Sequence, residues 1–168
     1  VEFRQGSRVD VEYSASERAS DRVEVYTQQG RLFLSLPPSA ELMNPGLTAT
    51  VVVPNLSRID VDGGASISID GFDIERLHLE IDGAASVKAR ESVIEELVLD
   101  TDGAANLDFS ASHVVNARVS LDGATSLTID MAGGELTGVL RGIGEVTYSG
   151  EVERQTINID GLGRVRRQ

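Results

Sequence analysis

The chain has 168 residues, 40% hydrophobic and 25% charged, with a formal net charge of −12 and no cysteine. This length and composition predict one folded domain, and the missing cysteines exclude disulfides, thiolate zinc sites and cysteine nucleophiles. The acidic balance argues against binding to nucleic acid or to an anionic membrane, and no apolar run reaches the ~18–20 residues of a membrane-spanning helix.

Residues 1–58 contain short runs of alternating apolar and polar residues, which predict β-strands. The runs are Val9 to Tyr13, Val23 to Tyr26, Leu32 to Leu36 and Thr48 to Val53, and Val1-Glu2-Phe3 also reads as strand. A turn at Gln28-Gln29-Gly30 predicts a hairpin from Val23 to Leu36. We interpret residues 1–58 as irregular first coils of the domain or as a cap over one of its ends.

A twenty-residue repeat dominates residues 59–168. Asp-Gly pairs stand at 62, 82, 102 and 122, and the pattern continues at intervals of nineteen with Arg141-Gly142 and Asp160-Gly161. Apolar and polar residues alternate on both sides of each Asp-Gly pair, so every repeat carries two short strands. A further apolar cluster in each repeat supplies another side or corner.

The same residue type recurs at the same offset in successive repeats, which stacked parallel strands require because each residue lies ~4.8 Å above its equivalent. Helical solenoids need an apolar spacing of 3.6, and antiparallel sandwiches do not require matched columns. The sequence therefore predicts an all-β, right-handed, single-stranded parallel β-helix (a solenoid) with ~20-residue coils. We expect residues 1–58 and 59–168 to be two parts of one domain.

The sharpest candidate site is an acidic edge. Between residues 60 and 135 there are sixteen acidic and four basic residues, which accounts for the whole net charge. Stacked carboxylates repel, so the edge needs solvent, splayed side chains, raised pKa values or a bound cation such as Ca²⁺. The alternative is that Asp precedes Gly because the pair suits tight turns, and the nonapeptide of calcium-binding solenoids is absent. The hypothetical cation-binding residues are Asp60, Asp62, Glu80, Asp82, Asp100, Asp102 and Asp122; no other metal or cofactor site is predicted.

No coherent catalytic set is visible. The polar column Ser66, Ser86, Asn106 and Ser126 lacks a recurring histidine base, since His78 is expected to face outward and His113 to lie in a connecting segment. Gly142-Ile143-Gly144 lacks the remainder of a dinucleotide fingerprint. The basic end, with Arg164, Arg166 and Arg167, is interpreted as a solvated terminus that blunts an open strand edge.

The chain resembles the head GIN domain family of putative autotransporter adhesins in two adjacent stretches, Val51-Val52-Val53-Pro54-Asn55-Leu56 and Ile59-Asp60-Val61-Asp62-Gly63-Gly64-Ala65-Ser66. In that family an extended run reaching Pro-x-Leu leads into repeated Ser-Gly-Ala-Ser turns; this chain carries Asp where Ser is common. The resemblance covers nearly the whole chain. It implies a right-handed parallel β-helix, an exported, periplasmic or cell-surface location whose leader is not in this chain, and no established catalytic residues.

The leading functional hypothesis is a non-catalytic envelope or surface domain for adhesion, binding or assembly, with an unknown protein or glycan partner. We expect a monomer or small homo-oligomer, no nucleic acid and no direct membrane insertion. One alternative is a calcium-dependent enzyme acting on acidic polysaccharide, for which Lys88 and Arg90 are the basic residues nearest the acidic edge. Another alternative is a self-assembling scaffold.

Overall fold

A computed structural model describes residues 1–15, 24–29, 31–35 and 47–168. These residues form strands because their apolar and polar side chains alternate with the period of a pleated sheet. In chain order the strands are β1 (Glu2–Gln5), β2 (Asp10–Ser14), β3 (Glu24–Gln28), β4 (Arg31–Ser35), β5 (Thr48–Val53), β6 (Arg58–Asp70) and β7 (Asp73–Arg167).

The strands predicted in the N-terminal part are confirmed. β5 has the predicted bounds, and β1 and β2 fall within a residue or two of the predicted runs. β3 and β4 form the predicted antiparallel hairpin, in which Tyr26 lies opposite Phe33 and stacks on it with ring centroids 4.8 Å apart. Gly30 of the predicted turn and the hairpin ends Val23 and Leu36 lie outside the described residues.

The strands assemble into two sheets. β3 and β4 make a two-stranded sheet, and the remaining strands make a five-stranded sheet in the order β2-β5-β1-β6-β7. The first strand therefore lies in the middle of the larger sheet, where it pairs in parallel with β5 on one side and with β6 on the other. β2 pairs antiparallel with β5 and occupies the edge.

This topology overturns the prediction, drawn from the sequence columns and from the family resemblance, of a right-handed, single-stranded parallel β-helix built as a solenoid of repeated coils. The sheet is mixed, because β2 runs antiparallel to β5, and the hairpin forms a sheet of its own. The physical reason lies before Arg58. Those strands carry no matched columns, so the spacing of the later repeats does not determine their direction or their order in the sheet. The all-β class is confirmed.

The twenty-residue register within the sheet is confirmed. β6 pairs in parallel with the start of β7, with Asp62 opposite Asp82 and Gly63 opposite Gly83. A 95-residue strand in one straight line would span roughly 300 Å, and β7 instead folds back so that residues 19 or 20 apart touch. We use the word row for a stretch of β6 or β7 that lies beside the equivalent stretch 19 or 20 residues later in the chain. The predicted division between residues 58 and 59 stays a prediction, although strands from both parts share one sheet.

The core lies along the inward side of the rows. The apolar positions predicted to face inward are buried, including Leu79, Ile81 and Val87, and the third apolar cluster, with Ile74 and Ile94, is fully buried as well. Burial of such aliphatic side chains contributes about 1.5–3 kcal/mol each. The alternate positions stay exposed, which presents the acidic and polar columns on the surface of the sheet.

Candidate functional site

The acidic edge exists as two neighbouring columns on the outward side of the rows. Asp60 lies opposite Glu80, and Asp62 lies opposite Asp82, in the parallel pairing of β6 with β7. All four side chains belong to exposed residues. The predicted stacking is therefore present in the fold where β6 meets β7. Adjacent strands are ~4.8 Å apart, so each carboxylate has an acidic neighbour on the next row.

Two arginines form ion pairs with the first column. Arg58 holds Asp60 through its Nε, 2.6 Å from Oδ1, and holds Glu80 through Nη2. Arg31 of the hairpin reaches the other oxygen of Asp60 at 3.4 Å. The hydrogen bond to Asp60 is the main reason that the pKa of Arg58 lies above its usual value. These arginines stand two residues before the column or in the distant hairpin, so the acidic spacing alone gave no signal for them.

His78 lies beside this column, opposite Arg58 in the parallel pairing of β6 with β7. As predicted, it faces outward between two buried leucines, Leu77 and Leu79. Its Nε2 lies 2.9 Å from Oδ2 of Asp100, and its Nδ1 lies 2.7 Å from Nη1 of Arg58. This role of His78 was not predicted. The sequence signal for it is that Arg58 and His78 each stand two residues before an acid of the first column, Asp60 and Glu80.

The second column consists of Asp62, Asp82, Asp102 and Asp122, and most of its carboxylates have no basic partner among the described residues. Asp122 is paired with Arg141 at 3.1 Å, whereas no ion pair within the described ranges involves Asp62, Asp82 or Asp102. Among the residues that the structure describes, no group of three or more His, Asp or Glu side chains is placed to hold a metal ion. Cation binding by this edge stays a prediction.

The polar column Ser66, Ser86, Asn106 and Ser126 is exposed along the neighbouring face. Beside it runs a more tightly bonded column, in which Lys88 lies 3.1 Å from Asp108 and Asp108 also accepts bonds from the hydroxyl and amide of Ser110. Partial burial raises the pKa of Asp108, but these three donors outweigh it, so the pKa lies below its usual range. The face is thus polar and internally bonded.

The two histidines do not form a nucleophilic triad. His113 lies within β7, not in a separate connection, and its Nδ1 is 3.0 Å from Oδ2 of Asp130. Ser149 donates to the other oxygen of Asp130 at 2.7 Å. The carboxylate therefore stands between the hydroxyl and the imidazole, whereas a triad needs the imidazole between them. The cluster joins rows and offers no activated hydroxyl.

The basic C-terminal end is exposed, and its arginines bond across rows, Arg167 to the carbonyl oxygen of Gly150 at 2.9 Å and the other two to a carboxylate. Arg164 and Arg166 both contact Glu145, at 2.8 Å and 3.2 Å. The hydrogen bond from Arg164 is the main cause that keeps the pKa of Glu145 below its usual value. Nearby, Ile143 and Leu162 project from neighbouring turns and are 63% and 77% exposed. Gly142-Ile143-Gly144 lies within β7.

The geometry defines a class of protein, an all-β domain whose rows display fixed polar and acidic columns on an extended surface. Residues 1–127 match the family described as "Putative auto-transporter adhesin, head GIN domain". The chain belongs to this family, which confirms the resemblance found in the sequence. The described part of the chain contains no helix with the length and apolar character needed to cross a membrane.

Two solved structures illustrate the similarity of fold. One, "a putative adhesin" from Bacteroides fragilis NCTC 9343, is 17% identical, with a TM-score of 0.77, over 99% of this chain and 87% of that chain. Another, "Putative lipid binding protein" from Parabacteroides distasonis ATCC 8503, is 12% identical, with a TM-score of 0.53, over the same shares of each chain. At these identities the likeness shows the fold alone. No curated protein matches the chain.

Proposed function

We propose that the chain is a non-catalytic binding domain of the bacterial cell envelope or surface that serves adhesion. The family description supports a surface or exported setting. The observation that carries the binding role is the exposed polar column Ser66, Ser86, Asn106 and Ser126, which repeats along a sheet whose register is set by paired strands. We call this surface the polar face.

Such a face suits an extended partner. Each row offers the same small polar groups at ~4.8 Å spacing, so a glycan or an extended protein segment can make many similar weak contacts along it. Lys88, Asp108 and Ser110 bond to one another beside the column, so less conformational entropy is lost when a partner binds. The supporting geometry is therefore that of an ordered display, with hydroxyl and amide groups exposed on the surface.

The experiment is a binding screen of the chain against glycan and extracellular-protein panels, followed by surface variants. Ser86→Arg with Ser126→Arg places bulk and positive charge on the polar face and is expected to abolish binding to any partner found. The matched control, Val93→Arg with Glu95→Gln, makes the same change in net charge at exposed positions of another segment of β7 and should leave that binding intact. Loss of binding in the control alone, or a blank result across both panels, would count against the polar face.

A second candidate is contact with an apolar or lipid partner. It is favoured by Ile143 and Leu162, which are both more than half exposed on neighbouring turns, where Gly161 touches Gly142. One solved structure of similar fold carries a lipid-binding description. Sedimentation with neutral vesicles tests the idea: Ile143→Asp with Leu162→Asp should release a vesicle-bound chain, whereas Val93→Asp, at another exposed apolar position, should not.

The enzyme alternative predicts calcium-dependent cleavage of uronate polymers. Its proposed base, Lys88, is held in an ion pair with Asp108 at 3.1 Å, so its amine is engaged by a neighbouring side chain of the same sheet. Geometry thus supports the binding role over this one. An assay for unsaturated products with calcium present separates the two, because cleavage would require a catalytic group that the polar face does not supply.

A further inference from the structure

β2 is the outermost strand of the five-stranded sheet, where it runs antiparallel to β5. No strand of the described ranges pairs with its other side. An edge of this kind presents backbone N–H and C=O groups that can bond to a further strand. The side chains of β2 therefore determine which kind of strand can be added there.

One side of β2 is apolar and incompletely covered. Val11 lies opposite Val51, and Tyr13 lies opposite Ala49. Directly opposed residues of an antiparallel pair share a face of the sheet, and both Val51 and Ala49 are buried. Tyr13 is nevertheless 48% exposed, and Val9, two residues before Val11, is 65% exposed. The core-facing side of the sheet therefore has uncovered apolar surface at this edge.

The other side of β2 is acidic. Asp10 and Glu12 lie opposite Val52 and Thr50, and both acidic residues are exposed. No ion pair within the described part of the chain involves either of them. Arg8 stands before the strand begins, so the strand itself carries two negative charges and no positive one. The edge thus has apolar surface on one face and two carboxylates on the other.

We propose that β2 binds an extended segment of a partner protein in which Lys or Arg alternates with aliphatic residues. The segment adds to the sheet beside β2. Because the side chains of a strand alternate between its two faces, the basic residues lie beside Asp10 and Glu12, and the aliphatic residues cover Tyr13. In this mode of recognition, main-chain hydrogen bonds supply affinity and the alternate side chains supply specificity.

The charges favour a basic segment over a second copy of this chain. Two β2 strands that pair antiparallel about Val11 place Asp10 opposite Glu12, and pairing about Glu12 places that residue opposite its own copy. Like charges directly opposite each other destabilise a sheet, and two chains of net charge −12 repel each other at long range. A basic segment replaces this repulsion with attractive pairs.

This edge lies apart from the polar face. The polar column belongs to β6 and β7, and both β5 and β1 stand between β2 and β6 in the sheet. The proposal therefore does not rest on what the polar face binds, and variants of β2 test it separately.

The first test measures the binding of labelled peptides to the intact chain by fluorescence anisotropy. A peptide in which Arg alternates with Val should bind about tenfold more tightly than one of the same composition whose arginines are grouped at one end. A peptide in which Glu alternates with Val should not bind. Equal affinities of the alternating and grouped arginine peptides would show that net charge alone explains binding, and would overturn the proposal. So would a failure of the alternating peptide to bind.

Charge reversal on β2 gives the second test. Asp10→Arg with Glu12→Arg should exchange the preference, so that the Glu–Val peptide binds and the Arg–Val peptide does not. This gain of binding also shows that the variant folds. The matched control is Asp73→Arg with Glu75→Arg, which makes the same change in charge at an exposed Asp-x-Glu pair of β7 and should keep the wild-type preference. The same exchange in both variants would refute a site on β2.

Hydrogen exchange and sedimentation complete the test. The amides of residues 10–14 should exchange more slowly when the Arg–Val peptide is bound, whereas those of residues 66–68 should be unaffected. Protection at residues 66–68 without protection at residues 10–14 would place the peptide elsewhere and contradict the proposal. Sedimentation of the chain alone should show no dimer that depends on β2. A dimer that Asp10→Arg with Glu12→Arg dissociates would mean that a second copy occupies the edge instead.

Discussion

Gly83 and Gly103 are twenty residues apart in the chain and in direct contact in the fold. The carbonyl oxygen of Gly83 occupies the space that a Cβ on Gly103 would need, and Gly103 adopts a φ of 133° that L side chains rarely take. Gly63 stands in the same relation to Gly83. Glycine is thus required at 83, 103 and 123 by the close approach of the preceding row.

Gly103→Ala should therefore lower the free energy of unfolding by at least about 1 kcal/mol, since the substitution adds backbone strain and a steric overlap with the neighbouring row. Urea denaturation followed by circular dichroism measures the change. Gly64→Ala is the matched control, because a Cβ there meets nothing within 4 Å, and it should change stability by no more than about 0.5 kcal/mol. Equal effects of the two variants would contradict this role of the glycine column.

The register that this contact depends on could be predicted from sequence, and the sheet order could not. Asp62 pairs with Asp82 as the twenty-residue spacing predicted, because stacked residues must match in size and polarity. No matched pattern of size and polarity predicts the insertion of β1 between β5 and β6 or the antiparallel course of β2. Those strands join neighbours that are distant in the chain, and alternation alone is compatible with several partners and directions.

The candidate site also has a part that the sequence predicted and a part that it did not. The positions of the acidic columns followed from the spacing, but their partners did not. His78 reaches Asp100 and Arg58 reaches Glu80 diagonally, each across to the next row and two residues further along. Arg31 comes from the hairpin. Such diagonal and long-range contacts depend on side-chain rotamers and on tertiary packing, which a repeat pattern does not encode.

Two buried hydroxyls on neighbouring rows give a second prediction. Thr101 and Thr125 are 5% and 2% exposed, and their Oγ1 atoms lie 3.3 Å apart. Replacing either one by valine leaves the other hydroxyl buried without this partner, which should cost about 1–3 kcal/mol. Replacing both removes the unsatisfied group and should recover much of that loss. A double-mutant cycle on unfolding free energies measures the coupling; strictly additive losses would show that the two hydroxyls act independently.

The depressed pKa of Asp108 gives a prediction about acid stability. A carboxyl whose pKa is lower in the folded state than its unfolded value of about 3.9 stabilises the fold above that value. The contribution disappears as the pH falls through the folded-state pKa. Asp108→Asn removes the titrating group, so its unfolding free energy should fall less between pH 7 and pH 3 than that of the wild type.

Urea titrations at several pH values test this, with Ser110→Ala as an intermediate case. That variant keeps the carboxyl but loses the hydroxyl that donates to it, so the pKa of Asp108 should rise toward its usual value and the acid dependence should lie between those of wild type and Asp108→Asn. Parallel pH profiles for all three chains would mean that Asp108 contributes nothing to acid sensitivity.

The last prediction concerns Asp62, Asp82 and Asp102 of the second acidic column, for which the described part of the chain supplies no ion pair. Asp82 has acidic neighbours at Asp62 and Asp102 on the adjoining rows, and like charges ~5 Å apart repel by roughly 1 kcal/mol in water. Asp82→Asn should therefore raise the unfolding free energy in a buffer that contains a chelator, and the gain should shrink as salt screens the repulsion. Asp122→Asn is the control, because Asp122 is bonded to Arg141 at 3.1 Å, and it should not stabilise the chain.

Adding Ca²⁺ then tests the cation hypothesis directly. A bound ion would stabilise the wild type by mass action and turn the benefit of Asp82→Asn into a loss, whereas an unchanged benefit in Ca²⁺ would rule out a site on this edge.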